Sequence, residues 1–125
     1  MSKVLIVDDE ELVRTLLQMT LESEGYEIEV ATNGRAAVAL YEQEPADVVI
    51  TDIAMPEMSG FDLIVELTRR GAGIKVIAMS GLAENLAIAK LLGACEVVQK
   101  RINLDHLSRM TRTVMARPPQ VPTRG

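Results

Sequence analysis

The chain has 125 residues, one domain's worth, and is 48% hydrophobic but only 2% aromatic, so Val, Ile, Leu, Ala and Met must fill its core. Its 13 basic and 18 acidic residues leave a net charge of −5, which argues against a basic nucleic-acid-binding face. One cysteine, Cys95, excludes an intramolecular disulfide, and no apolar run approaches the roughly 20 residues of a membrane span. With no signal-peptide pattern in MSKVLIVDDEE, the expectation is a soluble, cytoplasmic protein.

Strand and helix patterns alternate from end to end. Residues 3–7 (KVLIV) form a short apolar strand that runs into Asp8, Asp9 and Glu10. A helix follows, with Leu12, Leu16 and Met19 on one face, Val13, Leu17 and Thr20 beside them, and Gly25 as its stop. Acids at its start suit the positive end of a helix. Residues 27–31 are a second strand, Asn33-Gly34 a turn, and 35–43 an Ala-rich second helix closed by Pro45. Residues 47–51 (DVVIT) read as a central parallel strand, apolar on both faces, with Asp52 at its end.

The loop IAMPEMSG, containing Pro56 and Gly60, leads to a third helix over 61–70, with Phe61, Ile64, Val65 and Leu67 as its core candidates. Residues 74–79 (IKVIAM) form a fourth strand ending at Ser80-Gly81, and 83–92 a fourth helix stopped by Gly93. Residues 96–99 (EVVQ) form the fifth strand, ending at Lys100, and 104–116 an amphipathic last helix. The tail from 118 to 125, which holds three of the five prolines, reads as a disordered segment or linker stub, with the folded domain spanning 1–117.

Five strand–helix units predict an α/β fold: a doubly wound parallel sheet with helices on both faces. Right-handed crossovers restrict the topology, and five units cannot close an eight-stranded barrel. The expected architecture is the flavodoxin-like five-stranded sheet, order 2-1-3-4-5, with five helices.

Polar groups then fall at one edge. Strands one, three, four and five end at Asp8-Asp9, Asp52, Ser80 and Lys100. Open α/β sheets bind ligands beyond the carboxyl ends of their strands, at the switch in strand order, which here lies between strands one and three. Crowded carboxylates repel, and a hard divalent cation relieves this; Mg²⁺ takes one or two carboxylates, waters and a phosphate oxygen. A carboxylate can attack phosphorus, while a serine hydroxyl and a lysine ammonium can bind the product's oxygens. Taken singly, each residue has an ordinary explanation: an acid after a strand is usually a helix cap, Ser-Gly a turn, a lysine solvent-exposed. Their convergence on one edge favours a phosphoryl-transfer site.

VLIVDDEELVRTLL, DVVITDIAMPEMSGFDLI, VIAMSG and the late VVQK resemble the receiver domains of bacterial two-component response regulators, over essentially residues 3–116. The resemblance implies Asp52 as phospho-acceptor, Asp9 as a direct ligand of Mg²⁺ (or Mn²⁺), Asp8 as an acid that supports the metal through water, and the Ala54 carbonyl as a further ligand. It implies Ser80 as the switching hydroxyl, Lys100 as the family's lysine, and Pro56 and Gly60 as the turn that shapes the acceptor loop. It further implies a signalling switch, not an enzyme beyond its own phosphorylation and dephosphorylation. The phosphoryl group would come from a sensor histidine kinase or a histidine phosphotransfer protein. A downstream protein would read the face of the fourth helix, fifth strand and fifth helix, with the chain a monomer or a phosphorylation-dependent homodimer, without direct DNA binding or a membrane.

Five positions depart from the family pattern, one of them Gly81, which follows Ser80 where Ala is common and would loosen the loop. Val97 stands where Tyr or Phe is common, so coupling of the hydroxyl to the surface is expected to be weaker or routed otherwise. Arg101 replaces the proline that usually follows the lysine in a cis peptide, and the roughly 2.5–4 kcal/mol cost of a non-proline cis bond argues against one here. Ala54 and Leu82 are apolar where polar residues can help place a hydrolytic water, which suggests a slowly hydrolysed aspartyl phosphate.

Competing functions fit less well. An aspartyl phosphatase needs a second acid two residues past the nucleophile, where this chain has Ala54. A nucleotide or flavin binder needs a Gly-rich phosphate loop after the first strand, where this chain has Asp8-Asp9. A phosphorylation-independent interaction module is the remaining alternative. His106, the only histidine, and Cys95 are read as a surface residue and a small semi-buried residue.

Overall fold

A computed structural model describes residues 2–71 and 73–118. The elements run β1 (Lys3–Val7), α1 (Glu11–Ser23), β2 (Glu27–Ala31), α2 (Gly34–Gln43), β3 (Val48–Asp52), α3 (Gly60–Arg70), β4 (Val76–Ser80), α4 (Ala83–Leu92), β5 (Glu96–Gln99) and α5 (Leu104–Ala116). All strand pairs are parallel and the order is β2-β1-β3-β4-β5, as the alternating pattern predicts. β3 and β4 begin later than expected and run through Asp52 and Ser80. Asp47 lies outside β3 and its carboxylate instead accepts from the Lys3 backbone N–H at 2.8 Å. Of the tail, residues 119–125 lie outside the described residues.

The strands alternate their side chains between two cores. Val4, Ile6, Val48, Ile50, Ile77 and Met79 pack with Leu17 and Leu21 of α1 and Leu107 and Val114 of α5. Leu5, Val7, Val49, Val76 and Ala78 pack with Ala37 of α2, Leu63, Ile64 and Leu67 of α3, and Ala89 of α4. β1, β3 and β4 are therefore buried on both faces, which explains their unbroken apolar sequences.

The phase of two helices differs from a reading of apolar residues alone. In α1 the sheet side carries Leu17 and Leu21, whereas Leu12, Leu16 and Met19 are exposed. In α3 the buried set is Leu63, Ile64 and Leu67, with Phe61 partly buried against them and Val65 exposed. Both helices carry apolar residues around more than half their circumference, so periodicity alone does not fix which stripe faces inward. Three side chains set helix starts: Asn33, Ser59 and Asn103 accept from the backbone N–H groups of Ala36, Asp62 and His106. Among the described residues, no helix is long and apolar enough to cross a membrane.

Two buried lysines fasten the sheet. Lys3 pairs with Glu29 and Glu44, and the Lys75 ammonium donates to the carbonyls of Met115 and Arg117, tying the end of α5 to the start of β4. At the other end, the loop after β3 folds back on the strand. The Gly60 N–H donates to the Ile53 carbonyl at 2.8 Å, and a Cβ on Gly60 would lie 2.6 Å from Ile53 Cα and closer still to the Asp52 carbonyl oxygen. These are backbone atoms and cannot give way, so Gly60 is required for the approach.

Two consequences can be measured by chemical denaturation. Leu17→Ala is expected to cost about 2–5 kcal/mol, and Leu16→Ala far less; equal losses would refute the phase of α1. Gly60→Ala is expected to cost about 1–3 kcal/mol through backbone overlap, and an unchanged midpoint would refute the tight approach.

Candidate functional site

The parallel register levels the strand ends. Val7 pairs with Thr51, Asp52 with Met79, and Ser80 with Gln99, so the residues that end β3 and β4 and those that follow β1 and β5 meet at one edge. Asp8 there is fully buried, Asp52 is 5% exposed and Asp9 is exposed. One carboxylate oxygen from each lies within 4.8 Å of the others. The Lys100 ammonium stands 3.2 Å from Asp8 Oδ2, 3.4 Å from Asp52 Oδ2 and 3.7 Å from Glu10 Oε1.

Backbone donors orient both buried acids. Asp8 Oδ1 accepts from the Glu10 N–H at 2.9 Å, and Asp52 Oδ1 accepts from the Ile53 N–H at 2.9 Å. Thr51 Oγ1 donates to the Asp52 carbonyl, and Arg14 Nη1 donates to the Asp8 carbonyl at 2.8 Å, which fixes the turn between β1 and α1. The Lys100–Arg101 peptide is cis, contrary to the expectation from its sequence.

Burial is the main influence on the charges here. It pushes the Asp8 carboxyl above the usual carboxylate range, against the Glu10 N–H and Lys100. Asp52 is raised by burial first and then by the charge of Asp8. Burial pulls Lys100 down, but the charges of Asp52 and Asp8 outweigh it and its pKa is raised. Lys100 pairs with Asp8, Glu10 and Asp52, and Asp9 adds a further carboxylate beside Asp8 and Asp52. The donor set, all carboxylate oxygen with two members anchored by backbone hydrogen bonds, suits a hard divalent cation.

Asp8, Asp9, Asp52 and Lys100 are thus brought together as the sequence suggested. Ser80 ends the adjacent strand, with its hydroxyl accepting from the Leu82 N–H and the Asn85 side chain. Ala54 and Pro56 are exposed in the loop after β3, and Gly60 is buried beneath it. His106 is exposed on α5. Cys95 is buried, its thiol donates to the Val76 carbonyl, and burial raises its pKa. Sequence reasoning missed Glu10 as a Lys100 partner, Arg14 and Asn85. Arg14 follows Glu10 by one helical turn, a spacing common on any helix, so nothing in the sequence singled it out.

Comparison with known proteins supports this picture. The family model described as "Response regulator receiver domain" matches residues 4–112. The chemotaxis protein CheY of Thermotoga maritima is 38% identical over 93 residues, covering 74% of this chain and 78% of that protein. The regulatory protein AtoC of Escherichia coli is 35% identical over 116 residues, 91% of this chain but 25% of AtoC. The chain likewise spans about half the length of several transcriptional regulators that it matches. The crystal structure of response regulator protein TrrA from Thermotoga maritima, in complex with Mg²⁺-BeF, superposes with a TM-score of 0.84 at 33% identity, covering 91% of this chain and 99% of that one. A family match running from the second residue of β1 into α5, on the same fold, makes this chain a member of the response regulator receiver domains of two-component signalling.

Proposed function

We propose that residues 1–117 form a receiver domain that accepts a phosphoryl group on Asp52 in a Mg²⁺- or Mn²⁺-dependent reaction, and that this switches a protein-docking surface. The observation that carries the reading is the nearly buried Asp52 carboxylate, with Asp8 and Asp9 oxygens within 4.8 Å and the Lys100 ammonium at 3.4 Å. Asp9, Asp52 and the Ala54 carbonyl would hold the cation, with Asp8 supporting it. When bound, the cation offsets the acidic charge that would otherwise repel a phosphoryl group.

The Ile53 N–H holds Asp52 Oδ1, leaving Oδ2, the oxygen nearest Lys100, to attack phosphorus. An O–P bond forms as the donor's P–N bond to a histidine breaks, and the departing imidazole keeps its electron pair and takes a proton from solvent. Lys100 then neutralises a phosphoryl oxygen, and the Ser80 hydroxyl donates to another. The donor is a sensor histidine kinase or a histidine phosphotransfer protein. Such a donor must bring its histidine to Asp52, so it covers the rim of the edge cluster. There Leu12, Leu16, Ile102, Leu104 and Lys100 line an open groove of about 520 Å³. The output face is α4, β5 and α5, where Ile88 and Leu91 are exposed.

Intact-mass measurement with Mg²⁺ and a small acyl-phosphate donor tests the reading. Wild type is expected to gain one phosphoryl group, Asp52→Asn none, and chelation of the metal should abolish the gain. No gain in either protein, with the fold intact, would favour a phosphorylation-independent interaction module. A second prediction concerns lifetime. Ala54 and Leu82 are exposed, and their side chains carry no polar group to hold a water. The phosphorylated protein is therefore expected to persist for minutes or longer by the same mass measurement, and loss within seconds would overturn this.

A further inference from the structure

Only Gly81 and Leu82 separate the end of β4 at Ser80 from the start of α4 at Ala83. This short link leaves the Ser80 hydroxyl against the helix entry. Ser80 Oγ accepts from the Leu82 backbone N–H at 3.1 Å and from Asn85 Nδ2 at 3.2 Å. Leu82, the residue preceding α4, has no side chain able to cap the helix, and no side-chain cap is formed there. Asn85 lies in the first turn of α4, is half-buried, and its own backbone N–H donates to the Leu82 carbonyl at 3.1 Å. Ser80 and the first turn of α4 thus form one hydrogen-bonded unit.

A serine hydroxyl has two acceptor sites and one proton. Both acceptor sites are committed to the entry of α4, so only the proton is left for a group on Asp52, which sits on the neighbouring strand opposite Met79. Reorienting the hydroxyl toward that group disturbs the bond to Asn85. On β5, Val97 pairs with Ala78, has an apolar side chain and packs into the core beneath α4, while Gln99, opposite Ser80, donates to the Gly81 carbonyl instead of the Ser80 hydroxyl.

We propose that Asn85 is a positioning residue that ties the Ser80 hydroxyl to the first turn of α4. Through its amide, α4 reads the displacement of that hydroxyl when a phosphoryl group is placed on Asp52. This inference rests on the phospho-acceptor reading above and adds the residue that transmits the signal.

The test uses the full chain with Mg²⁺ and a small acyl-phosphate donor, with loading by intact mass and amide NMR spectra on the same samples. Wild type and Asn85→Ala are both expected to take one phosphoryl group. The amide shifts across residues 83–89 should appear in wild type and be lost in Asn85→Ala. Asn85→Asp, similar in size, serves as the second variant. Its carboxylate accepts the Ser80 proton and holds it back from the phosphoryl group, so the α4 response is again expected to be lost. In the resting proteins, Ser80→Ala and Asn85→Ala should each speed exchange of the α4 first-turn amides by about threefold to tenfold, the range one hydrogen bond commands. Because Ser80→Ala also removes the bond from the Leu82 N–H, the double variant should exchange no faster than Ser80→Ala alone. Equal loading with an undiminished α4 response in the variants would overturn the role of Asn85 alone. Additive exchange rates would refute the resting contact. Absence of phosphoryl uptake by wild type would overturn the phospho-acceptor reading and this inference with it.

Discussion

The structure is organised around an electrostatic conflict: two carboxylates, Asp8 and Asp52, are almost wholly withdrawn from water at adjacent strand ends, with a single ammonium between them. Burial favours the neutral form of each acid, and the charge of Asp8 adds to the pressure on Asp52. Lys100 relieves part of this by standing within 3.4 Å of both. Asp9 and Glu10 add further negative charge at the rim. A cluster of carboxylate oxygens of this kind is compatible with a hard divalent cation.

The fold serves that edge. A carboxylate is held here only because the rest of the sheet is buried apolar surface on both faces, with α1 and α5 on one side and α2, α3 and α4 on the other. The parallel register sets the ends of four strands level, and the return of the loop after β3, with Gly60 packed on the Asp52 and Ile53 backbone, holds the Asp52 carbonyl region in place. The buried lysines Lys3 and Lys75 bind the other side of the molecule, so movement is left to the connections at the carboxyl edge. The shortest of these that carries a site residue is Gly81-Leu82, between Ser80 and α4.

This arrangement gives α4 a particular place. Its sequence, AENLAIAKLL, is apolar on more than one face, with Ile88 and Leu91 exposed and Ala89 buried. Its start rests on the Ser80 hydroxyl instead of a side-chain cap of its own. A helix with modest burial and a borrowed anchor is the element most easily shifted by a change at the strand edge.

The sequence by itself determined the element order, the strand order and the identity of the edge cluster. Alternating apolar strands and amphipathic helices admit few right-handed parallel topologies, and Asp8, Asp9, Asp52, Ser80 and Lys100 each end a strand or follow one within two residues. Tertiary structure decided what periodicity leaves degenerate. Leu17 and Leu21 turn inward while Leu12, Leu16 and Met19 stay outside, and Leu63 replaces Val65 in the core, because helix phase is set by contact with the sheet and not by local composition. The cis Lys100–Arg101 bond lay against its local preference. Arg14 on the Asp8 carbonyl, Glu10 beside Lys100 and Asn85 on the Ser80 hydroxyl were equally invisible. Each is a common residue on a helix start, and what it bonds depends on the register and the loop length that only the folded chain brings together.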